Sequence, residues 1–253
     1  MSTATASPKR RRRGRTLTIV LIGIVLVLAV LVVVAEFVLR GVVDRQIAEQ
    51  VERSLPAGTE GTVDAHAEGV IIPQLIGGSL DEVEISSRKI TVDGVPLAAD
   101  VTAHDVPIDG AGSVHDVDGT VTLAASSVKD LAKYSPLFDR LSLVDGGVAL
   151  SGKTAVLGYD ISYLARGTVT AQSDGKGITV TPKTVQITNS ALDLRVDQIP
   201  GVTDTPVPVC TAQFLPQALR VRALDVTAAH ATVRVTADEL PLSESGLQTT
   251  GSC

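Results

Sequence analysis

The chain has 253 residues, with 28 Asp and Glu against 22 Lys and Arg; 44% of its residues are hydrophobic, yet it has no Trp, three Tyr and three Phe. Sugar-binding clefts and base-stacking platforms draw on exposed aromatic faces, so this composition counts against both and leaves Val, Leu, Ile and Ala to build the core. All 28 acidic residues and 16 of the basic ones follow residue 35, a net of −12 for that part, which repels nucleic acid and anionic lipid head groups at long range.

The N-terminus opens with KRRRRGR (Lys9 to Arg15), six positive charges in seven residues, followed by the uncharged run LTIVLIGIVLVLAVLVVVA from Leu17 to Ala35. Nineteen residues reach about 28 Å as a helix, the thickness of a bilayer core. By the positive-inside rule residues 1–16 form a cytoplasmic tail, 17–35 a single transmembrane signal-anchor, and the rest lies outside. A phosphate-binding role for the arginines gives way to this topological one. Val33 and Ala35 would also suit a signal-peptidase site, but the apolar run is longer than a cleaved signal needs, which favours a retained anchor.

An amphipathic helix is expected over residues 36–55, nearly continuous with the anchor. Val38, Val42, Ile47, Val51 and Leu55 would form its apolar stripe, Arg45, Glu49, Glu52 and Arg53 its polar face, and Pro56-Ala57-Gly58 its end. Next comes GVIIPQLIGG (Gly69 to Gly78), where Pro73 argues against a strand and Gly77-Gly78 against a helix, so the segment reads as an apolar loop. Two readings stay open for it: a buried connection under the helix, or a flexible lip at the mouth of a lipid-holding cavity made by Val70, Ile71, Ile72, Leu75 and Ile76.

Beyond Gly61 the hydrophobic period becomes two. Leu97, Ala99, Val101 and Ala103 alternate with polar neighbours, as do Val117, Val121 and Leu123, then Leu192, Leu194 and Val196, then Ala231, Val233 and Val235. Asp93-Gly94, Asp145-Gly146-Gly147 and Asp174-Gly175 mark turns, so the fold class is α+β and mostly antiparallel β. Parity slips between Ile85 and Ile90, Ala103 and Val106, and Val221 and Leu224 predict bulges and a bent sheet. A short helix is expected from Ser127 to Lys133 with Pro136 beyond it, and a loop from Ile199 to Pro208. Residues 36–243 make one extracytoplasmic domain and 244–253 a tail, frayed unless held by its cysteine. Cys210 and Cys253 both lie on the outer side, where disulfides persist, and a bridge between them would pin that tail.

Several motifs carry less than their letters promise. Gly147 to Thr154 (GVALSGKT) fits the phosphate-cradling G-x-x-x-x-G-K-[ST] pattern, but Val-Ala-Leu are strand formers and no helix follows, so a hairpin entering a strand is expected. His66, His104, His115 and His230 show no zinc-ligand spacing and read as strand residues. There is no G-x-S-x-G and no credible carboxylate pair. The sequence calls for no metal, no cofactor and no enzymatic activity.

The run EGVIIPQLIGGSLDEVEI (Glu68 to Ile85) resembles the characteristic segment of the LmeA family of extracytoplasmic phospholipid-binding proteins. Val70 and Ile72 stand where that family often has aromatics, and Ile71 where it often has Pro. LPQALRVRALDV (Leu215 to Val226), with the strand that follows to Val235, is similar to the family's closing strands. The resemblance implies an elongated, curved antiparallel sheet wrapped on a long helix, of the tubular lipid-binding kind, with an apolar cavity for acyl chains and a role in envelope lipid or lipoglycan metabolism or transport. The expected partners are a phospholipid or related envelope lipid and the cell membrane. Phe214 and Leu215 are second candidates for lining the cavity. The rival readings are an envelope protein-interaction module and, more remotely, a hydrolase or transferase acting on a lipid.

Overall fold

A computed structural model describes residues 12–55, 58–131, 139–156, 159–188, 193–196 and 204–253. One unbroken helix, α1 (Arg12–Ser54), contains both the apolar run and the helix expected after it. Strands β1 (Thr59–Gly61) and β2 (Asp64–Ala67), helix α2 (Ile71–Gly77) and strands β3 (Ser79–Val92), β4 (Val95–Pro107) and β5 (Ser113–Ala124) follow. Helix α3 (Ala125–Leu131) leads to β6 (Arg140–Val144), β7 (Gly147–Val156), β8 (Tyr159–Ala171), β9 (Gly177–Thr188), β10 (Asp193–Val196) and β11 (Val207–Cys210). The chain closes with β12 (Arg220–Val226), β13 (His230–Pro241) and α4 (Glu244–Gln248).

Among the described residues the strands form two antiparallel sheets. The first runs β1-β3-β4-β5-β13-β12 with β2 on β3, and the second runs β10-β9-β8-β7-β6 with β11 on β9. Two of the three parity slips are bulges with the extra residue in their own strand, between Ser87 and Ile90 against β4 and between Val221 and Ala223 against β13; the slip from Ala103 to Val106 instead contains Asp105 at positive φ and adjoins a register shift, between Thr102 and His104, whose extra residue lies in β5. A fourth, between Arg166 and Gly167, has its extra residue in β9, where the apolar positions change parity from Ile178 and Val180 to Val185 and Ile187. Asp93 and Gly94 both take positive φ in the β3–β4 hairpin, as a two-residue turn requires.

GVALSGKT is strand β7, and both motif glycines answer to cross-strand packing. A Cβ on Gly147 would stand 2.0 Å from the Gly167 carbonyl oxygen, and one on Gly152 would stand 2.6 Å from the Tyr163 hydroxyl. The backbone N–H groups of such a segment serve the ladder, not a phosphate.

Further expectations need correction. The short helix starts at Ala125, two residues early, which puts Ser127 inside it and buried; Lys133 and Pro136 lie outside the described residues. The loop expected over Ile199 to Pro208 ends in strand β11, whose Val207 and Pro208 face Val180 and Thr179; Pro is tolerated because β11 pairs on one side only. Its residues 199–203, and Leu192, lie outside the described residues. The inward stripe of α1 is Leu39, Val43 and Ile47, one residue out of phase with the expected Val38 and Val42, which are 60% and 47% exposed.

Among the described residues, three clusters of buried side chains stand out in the core. Val43 of α1 packs with Ala67, Ile71, Leu80 and Val83; Ala103, Val114, Val117 and Ala237 fill the middle of the first sheet. Val128 of α3 joins Val226 of the first sheet to Leu143 of the second, so α3 seals the seam between them. The C-terminal tail is tied down. Cys210 and Cys253 form a disulfide, Thr250 bridges Pro216, and the Gly251 N–H donates to the Ala212 and Leu215 carbonyls.

Candidate functional site

GVIIPQLIGG is a helix where a loop was expected, and the signals that argued against a helix are its ends. Ile71 to Pro73 form the first turn, whose N–H groups have no intrahelical acceptor, so Pro73 forfeits nothing. Gly78 closes α2 with φ of 86°, the left-handed C-cap that glycine adopts without strain. The N-cap residue Val70 has no side chain that can accept. Its role is taken by Glu36 of α1, whose carboxylate accepts from the Ile71 N–H and, at 3.1 Å, from the Ile72 N–H.

Glu36 is the first rung of a polar ladder. Arg40, one turn on, donates to the Ala67 carbonyl at 3.2 Å and to the Gly69 carbonyl, and lies 3.8 Å from Glu36. Asp44, another turn on, accepts from the Ala67 N–H at 2.9 Å and pairs with His66 at 3.2 Å; Glu52 accepts from the Val63 N–H at 3.0 Å. These groups cover the outer edge of β2, which pairs with β3 alone, and so remove an exposed sheet edge. They also fix direction: α1 descends from α2 toward β1, so the apolar run enters the domain at the α2 end.

The buried Gln74 uses both ends of its amide to hold α2 in place, donating to the Glu68 carbonyl at 2.9 Å and accepting from the Asp81 N–H at 3.1 Å. Ile71 is completely buried among Val43, Ala67, Leu80 and Val83, and Leu75 packs against the same cluster. Burial of one such side chain is worth about 1.5–3 kcal/mol. The two readings of the segment thus divide by residue. Ile71 and Leu75 are core, while Val70 is 59% and Ile76 84% exposed.

Between α1 and α2 lies an open groove of about 660 Å³, within the range of roughly 300–1,000 Å³ typical of small-molecule sites. Val32, Val33 and Phe37 form its α1 wall, Val70, Ile72 and Pro73 its α2 wall, and Glu36 and Arg40 also line it. The charges of those two are occupied by each other and by backbone groups, so the surface offered to a ligand is hydrocarbon. The groove could not be foreseen from the loop alone, because its other wall is α1, at the end of the apolar run and just beyond it. Phe214, 76% exposed at the end of the short 3-10 turn Ala212–Phe214, and Leu215 do not line it.

Among the described residues no three His, Cys, Asp or Glu stand close enough to hold a metal ion. The four histidines lie on β2, β4, β5 and β13. No curated protein and no solved structure matches the chain. The family model for LmeA-like phospholipid-binding proteins matches residues 34–240, from the end of the apolar run through nearly all of β13 and so across both walls of the groove except Val32 and Val33. The chain belongs to the LmeA-like phospholipid-binding family.

Proposed function

We propose that this protein is anchored in the cell membrane by residues 17–35, with its N-terminus cytoplasmic and its main domain outside, and that it holds phospholipid acyl chains without acting on them chemically. The observation that carries this reading is the groove: six apolar residues around about 660 Å³, at the point where a helix apolar enough to cross a bilayer meets the domain. A family that binds phospholipid supports the ligand class.

The energetics favour tails over head group. Each buried CH₂ contributes about 0.8 kcal/mol, so part of one chain suffices for useful affinity after ordering costs, whereas the net charge of −12 beyond residue 35 offers an anionic head group no long-range attraction. Val70, Ile72 and Pro73 are the lipid-contacting residues of α2, with Ile76 beyond them. A place in envelope lipid or lipoglycan metabolism or transport follows from such a carrier. Exposed Phe214 is what an envelope protein-interaction module would use, and it keeps that second reading in view.

The test is mass spectrometry of an organic extract of the purified full chain, compared with an unrelated single-span protein prepared identically. Enrichment of a phospholipid above that background supports the proposal. Equal profiles refute it. The anchor is needed in this experiment because Val32, Val33 and Glu36 belong to the site.

A further inference from the structure

We infer that α2 and the adjoining outward face of α1 lie in the outer-leaflet interface of the membrane that α1 spans, so that the groove opens sideways into that leaflet and takes its lipid from there. This rests on the anchor proposed above. It adds where the domain sits and from which side the site is filled.

The argument begins with the charges that follow the apolar run. Glu36, Arg40 and Asp44 are 19%, 29% and 21% exposed because they turn toward the backbone of residues 67–72. On the outward side Phe37 is 82% exposed, Val38 and Val42 are exposed as well, and the first exposed charge is Arg45. Arg15 and Arg45 are thirty helical steps apart, about 45 Å, which matches the roughly 40–45 Å of a bilayer with its head-group regions. The outward face of α1 is therefore built to stay in lipid and interface until Arg45.

Helix α2 stands beside residues 36–40, short of that boundary. It carries no charge from Gly69 to Leu80, and it presents Val70 and Ile76 outward. Ile108, 46% exposed, adjoins it through its N–H to the Gly78 carbonyl, and neighbouring Asp109 turns its carboxylate to the Ala111 N–H. A domain with net charge −12 gains nothing from anionic head groups, so an apolar foot is the means of contact it has.

Because the chain has no Trp, a single introduced one reports without background. Full-length Ile76→Trp and Val92→Trp are reconstituted in phosphatidylcholine vesicles with and without bromine on the acyl chains; the two sites are separated by the length of β3, about 40 Å, and both are exposed. Flotation with the vesicles is measured first. The expected result is that Ile76→Trp floats, emits to the blue and loses roughly half or more of its intensity to brominated lipid, as an interfacial indole does, while Val92→Trp is quenched by iodide instead. A floating protein whose Ile76→Trp emission is as open to iodide as that of Val92→Trp overturns this inference and leaves the anchor standing. Failure to float overturns both.

Discussion

Two uncharged stretches, Gly69 to Leu80 and Thr205 to Leu219, reach the same end of the first sheet, where Val106 packs against both the α2 cluster and the cluster that receives Ala218 and Leu219. They are secured by opposite means. The first is held through side chains: Glu36 of α1 caps its helix, its own Gln74 ties its flanks, and its own Ile71 fills the core. The second is held by a disulfide and by short backbone contacts, such as the Ala212 N–H to the Lys176 carbonyl at 2.9 Å. Hydrophobic letters alone therefore do not designate a site. What decides is which side chains the anchoring consumes and which remain to face a cavity: Ile71 is consumed, whereas Val70 and Ile72 remain.

The strongest way to break this comparison is a charge at Ile71. Ile71→Asp strands a carboxylate in a completely buried position and is expected to abolish cooperative unfolding, whereas Ile76→Asp, at a site 84% exposed, should change stability by about 0.5 kcal/mol or less. Thermal melts of the two variants side by side decide it; similar behaviour would mean that α2 is not divided as described.

A smaller effect is expected from the second stretch. Cys210→Ser with Cys253→Ser reopens a loop whose ends are 43 residues apart and should cost about 4 kcal/mol by loop-closure entropy, with the tail becoming sensitive to protease while α2 does not. Joint loosening of both stretches would show that their anchoring is coupled. Glu36→Gln comes next. It removes the anionic acceptor from two N–H groups and the partner of Arg40, for an expected loss of about 1.5–3 kcal/mol in denaturant titration and earlier cleavage within residues 69–78. Lys153→Ala should do nothing measurable, within about 0.5 kcal/mol, because Lys153 is an exposed strand residue; any ATP affinity lost in that variant would restore the phosphate reading.

Local signals were legible in the sequence wherever the structure is local. A bulge shifts the side-chain parity of its own strand, so the slips near Ile90 and Val221 could be read directly, and Asp93-Gly94 announces its own turn. With two cysteines the disulfide had one pairing open to it. Helix α2 was misread because its N-terminal acceptor comes from Glu36, 35 residues upstream of Ile71, and no local pattern encodes that. The phase of the α1 stripe was hidden for a related reason. Both Val42 and Val43 are apolar, and the choice between them is made by the sheet on one side and, on the proposed reading, by lipid on the other. The groove was half visible, since Val32 and Val33 of its α1 wall had been assigned to the membrane span.

The central claim, that the groove between α1 and α2 holds acyl chains, is tested most directly by the lipid content of a double variant that spares the core. Leu75 is unsuitable because it packs against the buried cluster, and an Asp at Ile72 would sit beside Glu36. Val70→Asn with Ile72→Asn places two uncharged amides on the α2 wall, and Asn at the N-cap position 70 supports the helix, so the fold should be kept. Full-length wild type and variant are purified in parallel and their extracted phospholipid is quantified per mole of protein. The account predicts a variant that melts within several degrees of wild type and has lost most of the lipid that wild type retains above background. A variant equally stable and equally loaded would contradict it and move the site away from this groove.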